Sequence, residues 1–132
     1  MRTQFELRTA LRAIYAAIEN GEVVVGPSYI ADSLGVSKST AQKILKGISE
    51  CGLGRYVAKK GLVLNEVGMR EAEKAMRRHR LIECMLEEVG VRDVCSEAGR
   101  IEMVAGEELI TALERKYGDR KTCPCGNRIP ET

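Results

Sequence analysis

Residues 30–48, IADSLGVSKSTAQKILKGI, constrain the fold of this chain more than any other part of its sequence. Ala31 and Leu34 precede Gly35, Val36 is expected to tuck inward, and Ser37 is a residue type that caps helix N-termini. Beyond it, Ala41, Ile44, Leu45 and Ile48 fall on one helical stripe. The pattern predicts two helices joined by a tight turn. The first of the pair opens at Gly26-Pro27-Ser28, because proline suits a helical first turn where its missing N–H has no partner. Upstream, Phe5, Leu7, Leu11, Ile14, Tyr15 and Ile18 recur at spacings of three and four, and Asn20-Gly21 stops that helix. Downstream, Tyr56-Val57 and Leu62-Val63-Leu64 are strand candidates around a Lys59-Lys60-Gly61 turn. Helix, short helix, turn, helix and hairpin in this order form the winged helix-turn-helix plan.

The remainder reads differently. Asn65 can cap a long helix that runs to about Glu88 and stops at Gly90. A second helical stretch extends from about Val94 to Tyr117, broken near Ala105-Gly106 because glycine is costly inside a helix. The closing residues have no periodicity and are expected to be irregular. The fold class is therefore mainly α: a winged helix-turn-helix over 1–64, then a helical module over 65–132. A chain of 132 residues suits one domain or two small modules sharing a core. Nothing approaches the run of ~18 apolar residues that a membrane span needs, and the N-terminus lacks a secretory apolar region. The expectation is a cytoplasmic protein with no membrane partner.

The exposed face of the second paired helix carries Ser37, Lys38, Ser39, Thr40, Gln42, Lys43 and Lys46. Hydroxyls and lysines near a helix N-terminus can grip phosphates, and Gln42 can present a bidentate edge to adenine. The Thr40 methyl can meet a thymine methyl. Lys59 and Lys60 at the wing tip add phosphate contacts. Each lysine alone is an ordinary solvated residue; the ordered set points to double-stranded DNA. Residues 1–64 carry a net +4 and residues 65–132 a net −2, which suggests different partners for the two halves. One histidine, no glycine-rich phosphate loop and no Ser/His/Asp set argue against an enzyme or a small-molecule substrate.

The second half concentrates metal-ligand chemistry. His79 and Glu83 share a helical face, Cys84 follows, Cys95 and Glu102 lie on or beside the next helix, and Cys123-Pro124-Cys125 sits in the tail. Imidazole, carboxylate and thiolate together suit a transition metal. Each also has a plainer reading: His79 beside arginines as a surface residue, Cys84 among Ile82, Met85 and Leu86 as core. Cys51 reads as structural. Cys123 and Cys125 have no packing reason to stand in an exposed irregular tail. Five cysteines, two of them one residue apart, make a disulfide framework a poor reading.

The blocks LRAIY, IADSLGVSKSTAQKIL, GLVLNEVG, AMRRHRLIECMLEEVGV and CPCGNRIP, taken in order, resemble those of the diphtheria-toxin-repressor family of metal-dependent regulators. The resemblance implies a winged-helix DNA-binding domain followed by a helical dimerisation domain, without the SH3-like domain of longer members. His79, Glu83 and Glu102 match family ligands, and Cys95 stands where the family often has a histidine. Thr9, Gly99 and Met103 replace other ligands, so the site that couples metal to the first helix looks dismantled. Cys125 replaces a histidine of the tail motif. These exchanges trade nitrogen and oxygen for sulfur, which disfavours Mn(II). The expectation is a homodimeric regulator on a pseudo-palindromic operator, with iron held by Cys95, Cys123 and Cys125 and by Cys84, Glu83 or His79. Fe(II) and an iron–sulfur cluster both fit that list, and Zn(II) is a further choice. Two alternatives stand beside it: a metal-free thiol switch, and a metal-binding protein whose winged helix contacts protein.

Overall fold

The computed structural model describes residues 4–132, with side chains from residue 6 onward, so the Phe5 side chain lies outside the described residues. The first helix, α1 (Gln4–Glu19), is followed by α2 (Pro27–Leu34) and α3 (Lys38–Glu50). Between α2 and α3, Gly35 adopts φ 68°, a left-handed conformation that L side chains disfavour, and this sets the tight turn. Ser37 then caps α3 by accepting a hydrogen bond from Thr40 N.

The hairpin pairs β1 (Gly54–Val57) with β2 (Gly61–Leu64) in antiparallel register. Val25 adds a bridge to Leu62, with reciprocal backbone bonds of 2.9 Å. Gly61 is required where this bridge passes, since a Cβ there would stand 2.2 Å from Val25 O. Lys59 turns the hairpin at φ 66°.

Asn65 caps the long helix α4 (Glu66–Glu88) by accepting from Gly68 N, while its side-chain amide donates to Gly52 O. The helical stretch after it is divided as expected, into α5 (Val94–Ile101) and α6 (Glu107–Tyr117). The tail is docked rather than loose. Cys123, Ile129 and Pro130 are buried, and Thr122 bridges Arg128.

Two apolar cores meet along α4. The first gathers α1, α2, α3 and the hairpin around Ile14, Ile30, Leu45, Ile48 and Leu62, and it includes Ala72, Ala75 and Met76 of α4. The second begins at Leu81 and joins α5, α6 and the tail through Val94, Ala98, Ile110, Leu113, Cys123 and Ile129. The two cores divide inside α4. His79 and Arg80 lie at that seam, both buried.

Candidate metal centre and nucleic-acid interface

His79 lies on α4, only 3% exposed, so it is not the surface residue that its arginine neighbours suggested. Its Nδ1 is 2.5 Å from Glu102 Oε1. Its Nε2 faces Glu83 Oε2 at 3.5 Å and Cys95 Sγ at 3.7 Å. The i, i+4 spacing sets His79 above Glu83 on one helical face, and α5 brings Cys95 across to them. The donor atoms of His79, Glu83 and Cys95 all lie within 4.8 Å of one another. A small cavity of about 170 Å³, lined by these three residues together with Arg12, Arg80 and Asn127, opens beside them.

Glu83 belongs to a second group as well. Its donor atom lies within 4.8 Å of those of Cys123 and Cys125, which are mutually as close. Glu83 Oε1 is buried and has no hydrogen-bond partner. An unpaired buried carboxylate oxygen is costly, and a cation among these donors removes that cost, so the residues present fit a metal ion.

The electrostatics of the two groups follow from burial against charge. Burial opposes a charge on His79, but hydrogen bonds to Cys95, Glu102 and Glu83 outweigh it and raise its pKa to about 10. Burial likewise opposes a charge on Glu83, and its bonds to His79 and Cys123 bring its pKa below the ordinary value. Burial and the Glu83 charge push the Cys125 thiol up to about 12. Without metal, the site holds His79 protonated and Cys125 as a thiol.

Glu102 is not in either donor group. It caps the end of α5 and accepts from His79 and, at 2.8–3.2 Å, from both Nε and Nη2 of Arg12 on α1. Its place is behind His79, where it holds the imidazole so that Nε2 faces the donors. Thr9 is buried with an unpartnered hydroxyl, Gly99 stands beside the Arg12 guanidinium, and Met103 is exposed. Where the resemblance suggested a dismantled site, an arginine–carboxylate pair ties α1 to α5. No signal in the sequence links residues 12 and 102; only the fold brings them together.

Cys84 points the other way. It is 1% exposed, packs in the second apolar core, and burial raises its pKa. It lies in neither donor group. Cys51 caps the end of α3 and is exposed. Cys123 corrects the picture of two thiols in an exposed tail: it is 3% exposed, and only Cys125 faces solvent.

The candidate nucleic-acid face is built by α3 and the hairpin. A groove of about 630 Å³ is lined by Lys38, Ser39 and Gln42 of α3, Lys59, Lys60 and Tyr56 of the hairpin, and Ser28 at the start of α2. Thr40, Lys43 and Lys46 line a neighbouring hollow with Glu50. Lys46 Nζ also stands 5.6 Å above the Tyr56 ring, a cation–π contact that ties helix to wing. Ser37 and Thr40 hydroxyls bond each other at 2.9 Å. Ser28 and Tyr56, read from the sequence only as a helix start and a strand residue, also line this face.

Residues 6–62 match the N-terminal DNA binding domain of iron dependent repressors, and residues 65–131 match the metal binding and dimerisation domain of the same proteins. The chain belongs to the iron-dependent repressor family. It is 35% identical over 123 residues to the iron-dependent repressor IdeR of Mycobacterium tuberculosis, a match covering 91% of this chain and 53% of that protein. Identity to the diphtheria toxin repressor of Corynebacterium diphtheriae is 31%, over 91% of this chain and 54% of that one. The chain thus spans about half the length of these relatives. Among solved structures, a manganese-dependent transcriptional repressor in complex with manganese superposes with a TM-score of 0.83 at 31% identity, covering 96% of this chain and 59% of that one. A Sulfolobus solfataricus protein described as hypothetical matches at TM-score 0.66 and 25% identity, covering 94% and 96% of the two chains. The named relatives are repressors rather than enzymes. Among the described residues, no helix is long and apolar enough to cross a membrane.

Proposed function

We propose that this member of the iron-dependent repressor family binds duplex DNA as a homodimer and reports on a metal ion held by His79, Glu83 and Cys95, with Cys123 and Cys125 alongside. The observation that carries the reading is the position of His79. Its Nε2 faces the donor group, while its Nδ1 meets Glu102, which grips Arg12 of α1. One side chain therefore faces the ion site directly and reaches, through Glu102, the helix that underlies the DNA-binding module. His79, Glu83 and Cys95 would hold the ion, which would supply positive charge in place of the proton that His79 carries without it.

The protein residues do the rest. Glu102 accepts a hydrogen bond from His79 Nδ1–H and fixes the imidazole plane. Arg12 carries the position of Glu102 to α1, which packs beneath α2 and α3 in the first core. Lys38, Ser39, Gln42, Lys59 and Lys60 then meet the duplex, with α3 in the major groove and the hairpin along the backbone. The second module supplies the dimer contact expected of its family domain, and Val89, Met103 and Val104 leave apolar surface exposed there.

Sulfur among the ligands suits Zn(II) and Fe(II) and disfavours Mn(II); membership of a family described as iron dependent puts Fe(II) first. It favours an ion over a cluster. Iron–sulfur clusters take four thiolates, or two thiolates and two imidazoles, whereas the described donor groups hold three thiols and one imidazole in all, one thiol in the first group and two in the second.

The test compares the chelated protein with protein reloaded with Fe(II) or Zn(II) without oxygen, on a duplex selected from random sequence. Reloading is expected to tighten specific binding at least tenfold, and His79→Gln to abolish the gain. Equal affinity with and without metal removes the reading. Acid-labile sulfide in the isolated protein, with broad visible absorbance, replaces the ion with a cluster.

A further inference from the structure

More donors surround Glu83 than one ion can use. Two ligands of a single ion stand no farther apart than two bonds, at most about 4.6 Å for two metal–sulfur bonds of about 2.3 Å. His79, Glu83 and Cys95 form one set within 4.8 Å, and Glu83, Cys123 and Cys125 form another, but the five do not form a single set. Glu83 is the shared member. It is 2% exposed, with Oε2 3.5 Å from His79 Nε2 and 3.6 Å from Cys125 Sγ, while Oε1 is buried without a partner. A carboxylate has two oxygens and roughly four lone-pair directions, so it can serve two cations at once.

The cysteine pair is shaped for this. Cys123 O accepts from Gly126 N at 2.9 Å, and Cys123 N donates to Asn127 O at 2.9 Å, closing a tight turn through Pro124 in which Gly126 adopts φ 87°. The backbone of Asn127 and of Cys125 also bonds the Cys123 sulfur, which fixes its place in the turn. The turn is anchored on α4, since Arg77 Nη1 donates to Pro130 O at 2.9 Å and Arg80 Nη1 donates to Arg128 O. Two sulfurs are thereby held against Glu83 by a fixed piece of chain.

We propose that Glu83 bridges two metal positions, one completed by His79 and Cys95 and a second completed by Cys123 and Cys125, the second taking a thiophilic divalent ion such as Zn(II) or Fe(II). The second position goes beyond the single reporting ion and rests on the metal reading above only for the first. On binding, each thiol gives its proton to solvent and each sulfur donates a pair to the ion, with no change of oxidation state. Cys125 is exposed, so this position opens to solvent and keeps room for a water or an exogenous ligand.

Titration of the metal-free full chain with Co(II), without oxygen, tests this through stoichiometry and the sulfur-to-cobalt charge-transfer band. Two equivalents per protomer are expected. Cys123→Ser/Cys125→Ser is expected to keep one equivalent and lose most of the charge-transfer intensity. His79→Gln/Cys95→Ser is expected to keep the other equivalent and most of the band. Because Cys123 is buried, the exposed Cys125→Ser alone is the control for folding, and it is expected to weaken the second equivalent at least tenfold. A single equivalent in the unaltered chain, no binding, or loss of all binding in either double variant overturns the bridge. Two equivalents with DNA binding indifferent to metal would leave the bridge standing and remove the regulator reading. One equivalent with metal-dependent DNA binding would do the reverse.

Discussion

Cysteine in this chain takes opposite roles at positions that look alike on paper. Cys84 and Glu83 are neighbours, yet Glu83 faces the donor groups and Cys84 the apolar core, because successive helical residues diverge by about 100°. Chemistry should separate the thiols in the metal-free protein. Exposed Cys51 is expected to react with iodoacetamide first. Cys84 and Cys123, buried with raised pKa values, are expected to react last. Cys125 is exposed but slow, since a thiol held up near pKa 12 leaves few thiolates. A raised thiol pKa means that alkylation accelerates with pH, so its rate should climb about tenfold per unit between pH 8 and 11. Site-resolved mass spectrometry reads this, and equal rates at Cys51 and Cys125 at pH 8 would contradict it. Some of this was legible early. Ser37 and Asn65 were recognisable as caps and Gly35 as a turn, because each acts on backbone within three or four residues of itself. The pairing of Arg12 with Glu102 was not, because it spans 90 residues and only the packing of α1 and α5 on the same helix, α4, brings the two together. Nor was the burial of Cys123, which depends on Ile129 and Pro130 seating the tail.

At the level of elements, α1 is the connection between the two modules. Its residues from Ala10 to Ala17 pack in the first core, and ion pairs reach across from it. Arg8 meets Glu107, Arg12 meets Glu102, and Glu19 meets Arg80. The first is exposed at Glu107 and contributes little. The Arg12–Glu102 pair is mostly shielded and carries three hydrogen bonds, so its loss leaves a buried carboxylate partly unpaired. Arg12→Ala is expected to cost about 2 kcal/mol in stability. It should leave metal stoichiometry intact, while the metal-induced gain in DNA affinity falls several-fold. The double variant Arg12→Ala/Glu102→Gln separates the two effects, since it removes the stranded charge as well. Recovered stability with coupling still lost would assign transmission to this pair. Full coupling in the double variant would move the route to the tail, where Arg128 reaches the Tyr15 hydroxyl of α1 at 3.3 Å. The same reasoning explains why the sequence could place every helix yet not the boundary between cores. A capping residue marks where α4 begins, but which half of a 23-residue helix packs where depends on the other elements.

For the whole molecule, the proposed function depends on two copies and on where their basic faces point. A two-fold dimer presents α3 twice, and the two helices must stand about 34–36 Å apart to enter successive major grooves of one duplex face. Within each protomer the wing lysines lie across the groove from α3, with Lys59 and Lys60 exposed on the hairpin and Lys38 opposite. Such lysines neutralise phosphates and release counterions, and each phosphate contact adds about 0.9 to the slope of log affinity against log salt. If both wing lysines reach phosphate, a dimer makes four such contacts. Lys59→Ala/Lys60→Ala is therefore expected to flatten the slope by about 3.6 while leaving the preferred sequence unchanged. Gln42→Ala, on the helix that faces base edges, should do the opposite: relax the sequence preference at one position in each half-site and leave the slope nearly as it was. Fluorescence anisotropy between 50 and 300 mM salt on one selected duplex measures both. An unchanged slope in the wing variant would place the hairpin off the backbone, and α3 would then have to carry the electrostatic contact alone through Lys38, Lys43 and Lys46.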